Sequence, residues 1–538
     1  MIDCFKYRDT NHFSELVYDY VEQNENFDDF ISYFPSLENL EKQAADKAKS
    51  YPASTRPILV EALRSQYAYV ETSQQTKDHI EALLLENTFT ITTGHQLNLF
   101  TGPLYFIYKI ISTVNLAEEM TEKYPDKNFV PIYWMASEDH DFEEINFFDF
   151  KRKKIQWSSE QTGAVGEFKT EDIDALIPQL EEVFGTSKRS QELIQLFKRA
   201  YLEHSNLSDA TFYLVNQLFK SYGLVVLEPQ KASLKKLFIN EMKTDLLDQK
   251  AATCVEEQSK RLVEKGYQLQ VNPREINLFY LKENERLRIA RVDDQFQLVD
   301  TDIRFTKDAF LKELEEHPER FSPNVIMRPL YQEVILPNIC YIGGGGELAY
   351  WLQLKSFFDK QNTPFPVLLL RNSVLIYSDK TEKKMKNLNL SLSELFLTPD
   401  QLAEKQTHKI TDIKIDFSQQ MDFLKDQFTQ LYQLSQRTDP SFEGAVAAQE
   451  QKQLNGLKHL EKRLMKAQKR KLKDELDRVL SLQELLFPNE GLQERSLNFS
   501  EIYADCGSDF IKIFKTQLKP LSGEFTCLRL DVYNSIKQ

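Results

Sequence analysis

A chain of 538 residues exceeds what one hydrophobic core can organise, so roughly three or four domains or subdomains are expected. A hydrophobic fraction of 41% with 12% aromatics excludes a disordered chain, and a net charge of −15, from 67 Lys plus Arg against 82 Asp plus Glu, argues against a nucleic-acid partner. The longest apolar runs, such as PFPVLLL at 364–370, are too short for a membrane span, the start MIDCFKYRDTNHF has no apolar signal core, and the five scattered cysteines fit reduced thiols in a cytoplasmic enzyme.

In chain order, residues 1–87 carry apolar residues at helical spacing, for example Ile58, Leu59, Ala62 and Leu63, and are expected to be helical. A strand over Phe89–Thr92, a turn at Gly94, a helix over Leu104–Glu119 and a strand over Val130–Met135 make a strand–helix–strand unit, the first half of a doubly wound domain. Residues 1–150 thus hold N-terminal helices and half of a core. Residues 151–210 are charged and helix-rich, an insertion without sheet. The run YGLVVLEP at 222–229 supplies another buried strand in a core segment of 211–240. A second insertion over 241–320 begins helical and then alternates (YQLQV, NLFYL, LRIARV, FQLVD), as a small antiparallel sheet does.

The chain re-enters the core over 321–379, through SPNVIMRPLYQEVILPN, the run Gly343–Gly346, a helix over Glu347–Lys360 and the buried strand PVLLLRNS. Over 380–488, Phe417, Met421, Leu424, Phe428 and Leu431 recur at spacings of four and three, as do Leu457, Leu460, Leu464 and Ala467. These are heptad spacings and predict two long antiparallel helices, a coiled-coil arm, joined by a turn near Asp439–Pro440 and Gly444. The basic run KRLMKAQKRKLK within it reads as a solvated face, with a local anion site as the alternative. Residues 489–538 form a mixed C-terminal segment. The expected fold is α/β, a Rossmann-like doubly wound core with two insertions and a helical arm.

Chemistry concentrates where buried strands end, because ligands of open α/β sheets sit beyond the carboxyl ends of the strands. TFTITTGHQLNLFTGP at 88–103 ends a strand in Gly94, His95, Gln96 and Asn98, followed by Thr101 and Gly102. Gly94 permits close backbone approach, and His95 is placed to donate to a developing anion. FVPIYWMASEDHDF at 129–142 ends a strand in Glu138, Asp139, His140 and Asp141, a titratable cluster costly to hold together except at a functional site. Adjacent residues do not easily share one metal ion, and no metal is expected. A third group joins Asn324, Arg328 and Gln332 to Gly344, Gly345, Glu347 and Tyr350 across the glycine run; Arg371, ending the last buried strand, calls for an anionic partner.

The segments TGHQLNLFTGPLYFIYK, WMASEDHDFEEI, FSPNVIMRPLYQEVILPN, GGGGELAYWLQL, DPSFEGAV and LFPNEGLQER, spread over essentially the whole chain, resemble the BshC family, the cysteine ligases of bacillithiol biosynthesis. The resemblance implies a Rossmann-like core related to class I aminoacyl-tRNA synthetases, two connecting-peptide insertions and an arm used for homodimerisation. It also implies an adenine nucleotide, ATP or ADP, bound outside the core pocket, with Leu492, Gln493 and Arg495 as candidate contacts. Against the His-x-Gly-His signature of those synthetases, Gly94 and His95 match the second half and Thr92 replaces the first His. Lys384-Met385-Lys386 lacks the serine of their mobile Lys-Met-Ser-Lys loop.

The implied reaction is the last step of bacillithiol formation, joining the carboxyl of cysteine to the amine of glucosaminyl-malate. On this reading Gly94, His95 and the Thr101–Gly102 turn stabilise the anion. A carboxylate or imidazole of the 138–141 cluster, tuned toward neutral pH, takes the proton of the amine. Arg328 or Arg371 binds the malate carboxylates. The alternatives are a nucleotide-responsive coiled-coil scaffold with a degenerate core and a metal-dependent hydrolase built on the 138–141 cluster.

Overall fold

The computed structural model describes residues 2–530, so residues 531–538 of the expected C-terminal segment lie outside the described residues. The chain forms two units. One comprises the N-terminal strand, His12–Leu375 and the chain from Gln493 onward; the other comprises Ile376–Leu492 with a short N-terminal stretch.

The first unit is organised by a parallel sheet. Strand β1 (Thr88–His95) is followed by helix α1 (Tyr105–Lys123), strand β2 (Asn128–Met135) and strand β3 (Val225–Leu227). Helix α2 (Met327–Ile335) then leads into strand β4 (Asn338–Gly343), helix α3 (Gly345–Trp351) and strand β5 (Val367–Leu370). The strand order is β5-β4-β1-β2-β3 and every pairing is parallel. The register sets His95 opposite Met135 and Gly343 opposite Leu370, so the strands release their carboxyl ends along one edge.

The apolar composition of these strands follows from burial on both faces. On one face Phe89, Ile91, Phe129, Ile339, Ile342 and Val367 pack with Leu116 and Met120 of α1 and with Leu40 and Ala44 from Leu37–Ser50. Each such side chain contributes about 1.5–3 kcal/mol. The buried threonines of β1 are satisfied internally. Thr90 and Thr92 donate to Asn338 Oδ1 at 3.2 and 2.8 Å, Asn338 donates to Glu333 at 2.6 Å, and Glu333 pairs with the buried Lys47 at 3.1 Å.

Several expectations are corrected. The chain opens with a strand, Ile2–Lys6, paired antiparallel to Glu524–Leu530, rather than with a helix. The first insertion does contain a strand, Lys153–Gln156, which pairs antiparallel with Phe147–Phe150 just before it. In the second insertion a five-stranded antiparallel sheet forms, but YQLQV stays outside it, and Phe321–Pro323 joins that sheet rather than the core. The helix expected over Glu347–Lys360 is two helices, Gly345–Trp351 and Lys355–Lys360. The glycine run passes straight from strand to helix, since Gly343 ends β4 and Gly345 already begins α3.

In the second unit, helices α4 (Ser418–Ser435) and α5 (Pro440–Lys471) run antiparallel. Tyr432 donates to Glu450 at 2.9 Å and the Phe417 amide to Glu461 at 3.0 Å, so positions ascend on one helix as they descend on the other. The turn falls before Pro440, and Gly444 lies inside α5. Among the heptad residues Phe428 is sealed, while Leu431 and Leu460 are 39% and 50% exposed.

Candidate functional site

Beyond the carboxyl edge of the parallel sheet lies a cavity of about 620 Å³. The tips of β1 and β2 enter it together, carrying Gly94, His95 and Gln96 from one and Glu138, Asp139 and His140 from the other. Gln96 joins the two tips, its amide donating to Asp139 at 2.8 Å and to Glu144 at 2.9 Å. Asn324, Arg328, Glu347 and Tyr350 complete the far wall. Gly94 is needed for close approach, because a Cβ there would lie 3.2 Å from the Tyr341 hydroxyl and 3.7 Å from the Arg328 guanidinium.

His95 packs against Tyr105 and Phe106, with ring centroids at 5.4 and 5.1 Å. Burial, reinforced by the positive charges of Lys109 and Arg371, holds its imidazole well below its ordinary pKa, so it is neutral. Lys109 projects from α1, donates to the Gly94 carbonyl at 2.8 Å and pairs with Glu347. Glu347 also accepts from Tyr341 at 2.6 Å and from the Gly344 amide at 2.8 Å. Burial raises the Glu347 carboxyl, but Lys109 and these donors outweigh it and keep the group ionised.

The four titratable residues after β2 go to different partners. Glu138 pairs with the buried Lys235 at 2.5 Å and accepts from Ser322 at 3.3 Å. His140 Nδ1 accepts from Arg286 at 2.9 Å, which occupies the lone pair a base would use. Asp141 is exposed and outside the cavity. Burial pushes the Asp139 carboxyl up, but hydrogen bonds from the His140 backbone amide, at 2.8 Å, and from Gln96, with the Arg286 charge, prevail and hold it well below the usual range. The expected tuning of this cluster toward neutral pH is thus reversed at Asp139, which stays a weakly basic carboxylate. Among the described residues no group of three or more His, Cys, Asp or Glu is arranged to hold a metal ion, and no helix is long and apolar enough to cross a membrane.

Arg328 donates to Tyr350 at 2.9 Å and Gln332 at 3.3 Å and lies 5.6 Å over the Tyr341 ring. Among the described residues it has no carboxylate at salt-bridge distance, and neither has Arg274, which enters the cavity from the second insertion. Gln332 is buried behind Arg328, donating to Glu333 at 3.1 Å.

Other expected residues lie outside the cavity. Arg371 pairs with Glu494 at 2.8 Å, with side chains 5% and 0% exposed, so its anion is a protein carboxylate rather than a substrate. Thr101 and Gly102 adopt φ of +69° and +60° in a structural turn. Asn498 donates to the carbonyls of Phe100 and Gly102 at 2.8 and 2.6 Å, and Asn98 packs beneath Gly102. Gly344 caps α3 and Gly345 sits against Val17, neither facing the cavity. Leu492 and Gln493 are buried, 4% and 8% exposed. Arg495 is exposed and borders a separate cavity of about 300 Å³ with Tyr105, Phe147, Glu144 and Asp149.

A Rossmann-like parallel sheet with a polar cavity beyond its carboxyl edge, in a chain that also carries a helical arm, defines the class of this protein. The chain belongs to the BshC family. Residues 1–372 match the family description "Bacillithiol biosynthesis BshC, N-terminal Rossmann-like domain" and residues 374–530 match "Bacillithiol biosynthesis BshC, C-terminal coiled-coil domain". A protein of Flavobacterium johnsoniae is 52% identical over 98% of this chain and 99% of its own. One of Christiangramia forsetii is 49% identical over 98% of each. Both carry the name "Putative cysteine ligase BshC".

Proposed function

We propose that this chain joins the carboxyl of cysteine to the amine of glucosaminyl-malate, closing the amide in the last step of bacillithiol biosynthesis in the cytoplasm. The observation that carries this reading is the charge balance of one cavity, in which, among the described residues, Arg328 has no carboxylate at salt-bridge distance and Asp139 remains ionised with no lysine or arginine at that distance. Glucosaminyl-malate bears an ammonium group and two carboxylates, the complementary set. Arg328 binds a malate carboxylate, Asp139 orients the amine, and neutral His95 donates to the oxygen that gains charge as the amide forms. The Lys109–Glu347 pair fixes the Gly94 carbonyl and so the start of the tip that bears His95.

An adenine nucleotide is a second proposed ligand, supplying the activation that a carboxylate and an ammonium group need to form an amide. Arg495 is exposed and open to a phosphate, whereas Leu492 and Gln493 are buried beside it. The arm is proposed to pair two copies, because Leu431 and Leu460 leave apolar surface on a heptad face. Sedimentation of Leu431→Glu/Leu460→Glu is expected to give a monomer where the parent chain gives a dimer; equal sedimentation would remove the proposal.

The function is tested by incubating the full chain with glucosaminyl-malate, cysteine and ATP or ADP and following the coupled thiol by mass. Product is expected from the parent chain, and Arg328→Gln is expected to lower kcat/KM by about tenfold to a hundredfold. Absence of product together with absence of glucosaminyl-malate binding would overturn the assignment.

A further inference from the structure

We infer that Arg274 is a specificity-determining residue that grips one carboxylate of a dicarboxylate-bearing substrate while Arg328 grips the other, and that Asn277 is the positioning residue that sets Arg274. The inference rests on the reading above and adds the second half of the clamp. It starts from the segment 266–277, an irregular stretch between the helix Lys250–Glu264 and the strand Leu278–Lys282. Val271, Asn272 and Arg274 of this segment line the 620 Å³ cavity on a different element from Arg328.

An irregular segment with an exposed arginine is ordinarily free to move, but this one is tied at both ends by buried amides. Gln353 accepts from the amides of Gln270 and Val271 at 3.0 and 3.2 Å and donates back to the Val271 carbonyl at 2.8 Å. Asn277, fully buried, accepts from the Arg274 amide at 3.1 Å and donates to the Arg274 carbonyl at 2.8 Å. Both backbone polar groups of Arg274 are thereby held by one side chain. Asn277 is in turn fixed by Asp245, which accepts from its backbone amide at 2.6 Å and its side chain at 3.2 Å. It also accepts from the Asn324 side chain at 3.1 Å, and Asn324 lines the same cavity close to Arg328 in sequence. Asn277 therefore references both arginine-bearing walls to one another.

The head of Arg274 is steered as well. Its guanidinium lies 5.9 Å from the Phe279 ring centre, and Arg286 lies 4.0 Å from the same ring. Arg286 is committed to His140 and Ser322, whereas Arg274 has no carboxylate at salt-bridge distance among the described residues. A guanidinium presents a planar fork that matches a carboxylate. Two such forks, on separate walls of one cavity and both without a carboxylate at salt-bridge distance among the described residues, call for two carboxylates on one ligand. A monocarboxylate leaves one fork unmatched.

The test is calorimetric titration of the full chain with glucosaminyl-malate and with its two monoamides, each having one malate carboxylate converted to a carboxamide. Arg274→Gln is expected to weaken binding of glucosaminyl-malate roughly tenfold to a hundredfold. Arg274→Lys should recover part of the loss. For one of the two monoamides, parent and Arg274→Gln should bind alike. Asn277→Ala is expected to reduce the preference for the dicarboxylate over that monoamide; partial unfolding does not mimic this, because it lowers active protein equally for both ligands. Equal binding of glucosaminyl-malate by parent and Arg274→Gln, or the same penalty with both monoamides, would overturn the clamp and leave the ligase reading standing. A parent chain that binds none of the three ligands would overturn both.

Discussion

Lys109→Met is expected to destabilise the first unit by about 3–5 kcal/mol, seen as a fall in the urea midpoint. The side chain is 3% exposed and its ammonium satisfies Glu347 and the Gly94 carbonyl together. Burial lowers the Lys109 pKa and the Glu347 charge offsets it, so removing the lysine strands a carboxylate whose remaining donors are Tyr341 and the Gly344 amide. Lys109→Met/Glu347→Gln should restore much of the loss, a coupling of about 2 kcal/mol. Purely additive effects would show that the two groups do not act as a pair. Activity is expected to fall further than stability, since the freed Gly94 carbonyl lies directly before His95.

His95→Ala is expected to lower kcat/KM by about a hundredfold or more, the usual scale for losing a preorganised donor to a developing oxyanion. The pH dependence separates this role from that of a base. Burial together with Lys109 and Arg371 keeps the imidazole neutral, with its pKa well below the ordinary value of 6.5. A base titrating near that value would impose an acid limb around pH 6.5, and His95→Ala would erase it. Here the parent and the variant should show pH profiles of the same shape between pH 6 and 9, displaced in height. The sign for stability follows as well. A histidine whose folded pKa is depressed resists protonation in the fold, so its stabilising contribution is retained above pH 6.5 and is lost progressively as pH falls below it. Unchanged turnover by His95→Ala would defeat the assignment.

The two strand tips were legible in the sequence because burial and polarity change abruptly there. Seven buried positions run into His95, and eight positions of β2 run into Glu138 and Asp139 after a short loop. Parallel pairing then brings both tips to one edge, which is why His95, Gln96 and Asp139 share a cavity. What the sequence concealed is pairing at long range. Lys235 neutralises Glu138 from nearly a hundred positions downstream, and Glu494 neutralises Arg371 from beyond the arm. Nothing local marks Arg274 or Arg286, since alternation in the second insertion reports a sheet but not which face meets the cavity. Lys109 was within reach, a lone charge inside PLYFIYKII where its flanking residues are apolar. The Thr101–Gly102 turn misled for a related reason. A turn rich in small polar residues resembles an anion cradle until Asn498, about four hundred positions later, is seen holding its carbonyls.

The pairing of Ile2–Lys6 with Glu524–Leu530, together with Glu494 against Arg371, bears on how the chain is made. During synthesis the ribosome releases the parallel sheet long before the segment that completes it. Until residues 493–530 emerge, the first strand has no antiparallel neighbour from that segment and Arg371 lacks its counter-charge. The nascent α/β unit must therefore wait, unfinished, while the whole helical arm is translated. Early termination within the arm would yield a product with an unpaired strand edge and a bare buried cation, a natural target for quality-control proteolysis.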